Sequence, residues 1–158
     1  MISSKSGYDV FLGGTTNKTK WREEFLNLIN ESAPRIRCFN PIVDNWTQEC
    51  IELENFVKEH ARYHIYVLTP RMAGVYSVTE MCDSVHDTRK HTVIYIMDED
   101  VGNDGEIISW DPAMKKSLSA VANMIVMHGG YSACSISDMV NHLIKDFNSQ
   151  AIKRELTF

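Results

Sequence analysis

Three features of the sequence predict a three-layer α/β fold with a five-stranded parallel sheet. Short runs rich in β-branched and aromatic residues alternate with segments of helical periodicity. The runs are apolar on consecutive positions, as expected of strands covered on both faces, and the connections are short. Right-handed crossovers then make the flavodoxin-like order 2-1-3-4-5 the simplest topology. No repeat, low-complexity tract or linker interrupts residues 1–158, so one domain is expected.

The first strand is residues 8–13 (YDVFLG), stopped by Gly13-Gly14. Thr15, Thr16 and Asn17 supply capping chemistry for a helix carrying Trp21, Phe25, Leu28 and Ile29, which Pro34 ends. Ile36 to Phe39 is a brief second strand, and Asn40-Pro41 opens a loop to Trp46. Thr47 caps a helix whose Ile51, Leu53, Phe56 and Val57 are read as its apolar face. Residues 63–69 (YHIYVLT) form the third strand, and Pro70, Gly74 and Ser77 lead into a helix over about 77–87. HTVIYIM at 91–97 is the fourth strand, followed by a polar loop, DEDVGNDGE, at 98–106. Pro112 starts a helix to about Val121, and Met124 to Met127 reads as the fifth strand, broken by Gly129-Gly130. Ser135 or Ser137 caps a last helix with Met139, Leu143, Ile144 and Phe147 on one face. The methionines at 114, 124, 127 and 139 are placed on core faces.

The composition, 44% hydrophobic and 23% charged, is that of an ordinary globular chain. A net charge of -5 argues against a protein that grips a nucleic-acid polymer, which needs a basic field. Cys38, Cys50, Cys82 and Cys134 include no CxxC and read as reduced, buried thiols. The opening MISSKSGYDVFL has no apolar leader run, and no stretch reaches the roughly 18 apolar residues of a membrane span. A cytoplasmic protein without membrane contact is expected.

In such sheets ligands bind beyond the carboxyl ends of the strands, near the switch point. That rule selects Gly13 to Asn17, Asn40 to Trp46 and Pro70 to Glu80. The paired glycines Gly13 and Gly14 allow a ligand near the backbone, and the helix start that follows suits an anion. The loop is neither GxGxxG nor a Walker loop, so NAD and P-loop chemistry are not indicated and no cofactor is expected. Glu80 has two readings. Ser77-x-x-Glu80 fits a capping box, and a carboxylate at the mouth of the central strand also reaches a bound sugar. His60 and His64 straddle a helix end and a strand start and lack a third ligand, so no metal site is expected; Asp98-Glu99-Asp100 reads as readily as solvated loop. Trp46 and Trp110 offer faces on which a base stacks, or simply pack.

The segments VFLGGTTN, Trp21-Arg22, FNPIVDNW at 39–46 and YHIYVLTPRMAGVYSVTEMCDS at 63–84 resemble the nucleoside 2-deoxyribosyltransferase-like family, in register over about residues 8–97. The resemblance implies a small nucleoside or nucleotide substrate and Glu80 as a nucleophile that forms a covalent glycosyl-enzyme on the way to base exchange or hydrolysis. It implies that Asp44 faces the base, and that Ser77 and the Gly13-Gly14 loop, with Thr15, Asn17, Trp46 and Gly74, hold the substrate. It also implies a homodimer or higher homo-oligomer. The chain departs from the family pattern in Phe11, where a tyrosine is common, and Arg62, where an aspartate is common. A supporting acid from the preceding helix is Glu52 or Glu54. These departures keep two other readings open: a module that binds a nucleotide-derived ligand without turnover, and a scaffold used only for protein contacts.

Overall fold

The structure, a computed structural model, describes residues 7–157. The reading of the opening segment falls partly on residues 1–6, outside the described residues. Along the chain the elements are β1 (Val10–Gly14), α1 (Trp21–Ser32), β2 (Cys38–Phe39), α2 (Gln48–His60), β3 (Tyr63–Leu68), α3 (Tyr76–His86), β4 (His91–Ile96), β5 (Glu99–Val101), β6 (Ile107–Ser109), α4 (Pro112–Met127), β7 (Tyr131–Ala133) and α5 (Ile136–Glu155). Five strands form one parallel sheet in the order β2-β1-β3-β4-β7, which is the expected topology with β7 as the fifth strand.

Alternate residues of the central strands feed two cores. Val10, Leu12, Ile65 and Val67 pack with Trp21, Phe25 and Ile29 of α1 and with Met139 and Leu143 of α5. Phe11, Tyr66, Leu68 and Ile94 face the opposite way, onto Val57, Met81, Leu118 and Ile125. This two-sided burial is why the strands read as continuous apolar runs. Among the described residues no helix is long and apolar enough to cross a membrane.

Several local expectations change. Met124 to Met127 is not a strand; it completes α4, with Leu118 and Ile125 buried two turns apart and Met127 82% exposed. Four apolar residues in a row suit a helix end as well as a strand, and here the helix continues to Met127, with His128 as its C-cap, because no breaker precedes Gly129. Of the four methionines placed in the core, only Met139 is buried. The 98–106 segment is no open loop, since Glu99–Val101 pairs antiparallel with Ile107–Ser109. The thiols are free, but Cys134 is exposed and the other three are only partly buried. Helix α1 starts at Trp21 without a side-chain cap, so Thr15, Thr16 and Asn17 do not cap it. Thr47 and Ser135 do cap α2 and α5.

His64 on β3 is 1% exposed beneath Phe11 and Tyr66, and its Nε2 has no partner. Burial, helped by the Lys90 charge, pulls its pKa down to about 4. An unfolded histidine takes up its proton near pH 6.5, well before the folded one does. The folded state is therefore fully favoured above about pH 6.5 and loses about 3 kcal/mol as pH falls toward 4. Urea unfolding at pH 7 and pH 4 is expected to show this loss in the wild type and a smaller one in His64→Phe. Equal losses would assign the acid sensitivity elsewhere.

Candidate active site

Helix α2 is rotated from its expected orientation. Ile51, Leu53 and Phe56 are each more than 40% exposed, and of the expected apolar face only Val57 is buried. Cys50, Glu54, Lys58 and Ala61 turn inward with Val57. The inward acid and lysine meet α3. Lys58 Nζ lies 2.7 Å from Glu54 Oε1 and 2.5 Å from Glu80 Oε1, with side chains 20%, 16% and 14% exposed. The ammonium stands 5.2 Å over the ring of Phe11 and 5.5 Å from that of Tyr76. The two carboxylates thus converge on one cation above the second residue of β1, one acid from α2 and one from α3. The acids lie over the sheet, inward of its carboxyl rim.

This geometry removes one of the two readings of Glu80. The N-cap of α3 is Val75, which makes no side-chain cap, and Ser77 is already inside the helix. No capping box forms; Glu80 is committed to Lys58. Of the two acids that the resemblance offers from the preceding helix, Glu54 shares the lysine with Glu80, whereas Glu52 accepts from Gln48 Nε2 on the outer face.

The field around the acids is balanced. Arg22 is 7% exposed and donates to Thr15 O at 2.6 Å and Gly14 O at 3.2 Å. Burial draws its pKa down to about 10 against the pull of Glu54 and Glu80, so it stays cationic at neutral pH. Burial also opposes the charge on Lys58, yet hydrogen bonds and Coulomb attraction from both glutamates outweigh it and raise its pKa. The Tyr66 hydroxyl is raised by burial first and by Glu80 second.

The other expected site residues divide. Gly13 and Gly14 are held to glycine by the packing of β1 against β3. A Cβ on Gly13 would lie 2.4 Å from the Tyr66 ring, and one on Gly14 2.1 Å from Val67 O. Thr15 is 4% exposed and spent on the fold, its Oγ1 accepting from Thr69 N at 2.9 Å. Asn17 is exposed, with Nδ2 donating to Arg71 O at 3.4 Å. Asp44 and Trp46 stand exposed on the loop after β2, Trp46 at 57%, and neither is drawn into the Glu54–Lys58–Glu80 cluster. Gly74 has open space about it.

Arg71 escaped the sequence reading. It is 6% exposed, grips Asp104 through both terminal nitrogens at 2.9 and 3.2 Å, and donates to Glu106 O at 2.5 Å. With Asn103 N donating to Lys18 O, it locks together the loops that follow β1, β3 and β5. A cavity of about 530 Å³ opens beside α1 at the carboxyl ends of β1 and β2, walled in part by Thr16, Arg22, Asn40 and Asn103. Another of about 340 Å³ lies at the opposite end of the sheet, around Arg62 and Tyr63. Glu80 lines neither.

Together these features define an α/β protein with a parallel sheet and an acid pair held by a lysine between two helices on one face. A family model described as nucleoside 2-deoxyribosyltransferase like matches residues 7–100, more than half of the chain, and the protein belongs to that family. The match runs from β1 through the start of the β5–β6 hairpin and contains Glu54, Lys58 and Glu80. A comparison with curated proteins found no match.

Proposed function

We propose that the protein cleaves or exchanges the N-glycosidic bond of small 2-deoxyribosyl nucleosides or their monophosphates, with Glu80 as nucleophile. The observation that carries this reading is the pair of carboxylates, Glu54 and Glu80, sharing one ammonium between α2 and α3 within the part of the chain that the family model matches. Glu80 attacks the anomeric carbon, the base leaves, and a glycosyl ester stands on Glu80 until water or a second base takes the sugar.

Asp44 and Trp46, on the exposed loop after β2, are assigned to the base; Ser77 and Asn17 are assigned to the sugar and any 5′-phosphate. The outward Ile51, Leu53, Phe56, Val75 and Tyr76, all more than 40% exposed, suit a contact between copies of the chain.

The test is to incubate the protein with a mixed pool of deoxynucleosides and deoxynucleoside monophosphates and to separate the products by chromatography. Free bases or exchanged nucleosides are expected, with a deoxyribosyl mass increment on the Glu80 peptide after rapid acid quench. Tight retention of an intact ligand with no base released over hours would instead identify a binding module.

A further inference from the structure

We infer that the cavity at the amino end of the sheet binds a small organic phosphate on Arg62 and Arg154. The inference is independent of the role of Glu80, since none of Glu54, Lys58 and Glu80 lines this cavity.

The cavity, of about 340 Å³, lies where β3 and β4 begin, between the end of α2, the turn before β4 and the last turns of α5. Its size is that of a small-molecule pocket rather than of a lone ion. Four of its twelve lining residues are cations, Arg62, Arg89, Lys90 and Arg154, against two acids, Asp9 and Glu59. In a chain with 16 basic and 21 acidic residues, this reverses the overall balance. A concave surface of that sign draws anions.

The ion pairs around the cavity leave two of the four cations underused. Arg89 is spent on Asp87 at 2.6 Å and Glu59 at 3.0 Å, and Lys90 lies 3.4 Å from Asp87. Asp9 is engaged by Arg37, from its backbone N at 2.9 Å and its Nε at 3.8 Å. Arg62 reaches Asp146 Oδ2 only at 4.0 Å, and that oxygen already accepts from Tyr63 Oη at 2.8 Å. Among the described residues the Arg154 guanidinium has no ion pair and no hydrogen bond. The carboxyl end of α5 favours a base, but Lys153 stands beside Arg154 in the same last turn.

The two arginines come from different elements, and this favours phosphate over carboxylate. One arginine fork fills both oxygens of a carboxylate, whereas a phosphate monoester presents three terminal oxygens and can serve two forks at once. Phe147 and Ala151 add an apolar wall, which an inorganic ion leaves uncovered and an attached organic group covers. Arg62 is also a departure from the family pattern that the proposed reaction does not use.

The test is an NMR titration of the whole chain with ribose 5-phosphate, inorganic phosphate and ribonate, a carboxylate of similar size. Ribose 5-phosphate is expected to move the amide signals of Arg62, Lys90 and Ala151 saturably, and to bind more tightly than either of the other two. Arg62→Gln and Arg154→Gln are each expected to weaken it by about 10–100-fold, the usual effect of a lost hydrogen bond to a charged group. Arg154 is exposed near a helix end, so Arg154→Gln keeps the fold, and the amide spectrum reports folding for both variants. Glu80→Gln is expected to bind as wild type does, which separates this cavity from the candidate active site. Signals that move only around Asn17 and Ser77, equal affinity for all three anions, or unchanged affinity in both arginine variants would overturn the inference. So would the absence of any saturable shift.

Discussion

Glutamine at position 80 is expected to slow base release by at least about 10³-fold, or about 4 kcal/mol on the barrier. The loss belongs to the chemical step, because an amide oxygen of the same shape occupies the same place but forms no stable ester with C1′. Substrate binding is expected to persist, and so is the fold. Lys58 keeps Glu54 at 2.7 Å, so its partly buried ammonium is not stranded as it would be if both acids were lost. The measurement is single-turnover base release by wild type and Glu80→Gln, with a thermal midpoint as the check on folding. A variant that retains wild-type turnover would show that Glu80 is not the nucleophile and that the α2–α3 ion pairs are structural. Glu80→Gln is expected to fail on every substrate, because bond formation to carbon is lost whatever the leaving group.

Much of the architecture was legible because strand-forming residues, helical periodicity and short loops agreed with one another. The all-parallel order followed from crossover handedness, and Thr47, Pro112 and Ser135 marked helix starts correctly. What escaped was decided by tertiary contacts. Met124 to Met127 carries the same apolar signal in a helix end as in a strand, and only the pairing of Tyr131–Ala133 with Val93–Tyr95 separates them. Ser77-x-x-Glu80 has the spacing of a reciprocal cap, but the helix begins two residues too early for Ser77 to close it. On α2, apolar residues on the outer surface outnumber those on the inner one, so periodicity selected the wrong face. Glu54 and Lys58 stand at i, i+4, a spacing that ordinarily marks a solvated pair, and nothing local says that Glu80 comes to join them. Sequence spacing shows which side chains share a helix face; it does not show what that face will meet.

Gly14→Ala is expected to cost at least about 4 kcal/mol, in the range that usually prevents folding of a domain this size. Two independent effects add. At φ +110° Gly14 occupies backbone space that a residue with a Cβ adopts only under strain. A Cβ there would also meet Val67 at 2.1 Å from its carbonyl oxygen and 2.7 Å from its amide nitrogen. Both atoms belong to the central strand, so no rotamer change relieves the clash. Moving β1 aside would break Thr15 N to Val67 O and Thr69 N to Thr15 Oγ1, each 2.9 Å. It would also disturb the bonds that Trp21 Nε1 and Arg22 Nη1 make to Thr15 O, and so the start of α1. Gly74→Ala supplies the contrast, since a Cβ there meets nothing within 4 Å; it is expected to stay within about 0.5 kcal/mol of wild type. Urea unfolding of the two variants measures the difference. A stable Gly14→Ala protein that had lost only ligand affinity would return the glycine pair to the substrate. The packing of β1 against β3 by itself accounts for glycine at both positions.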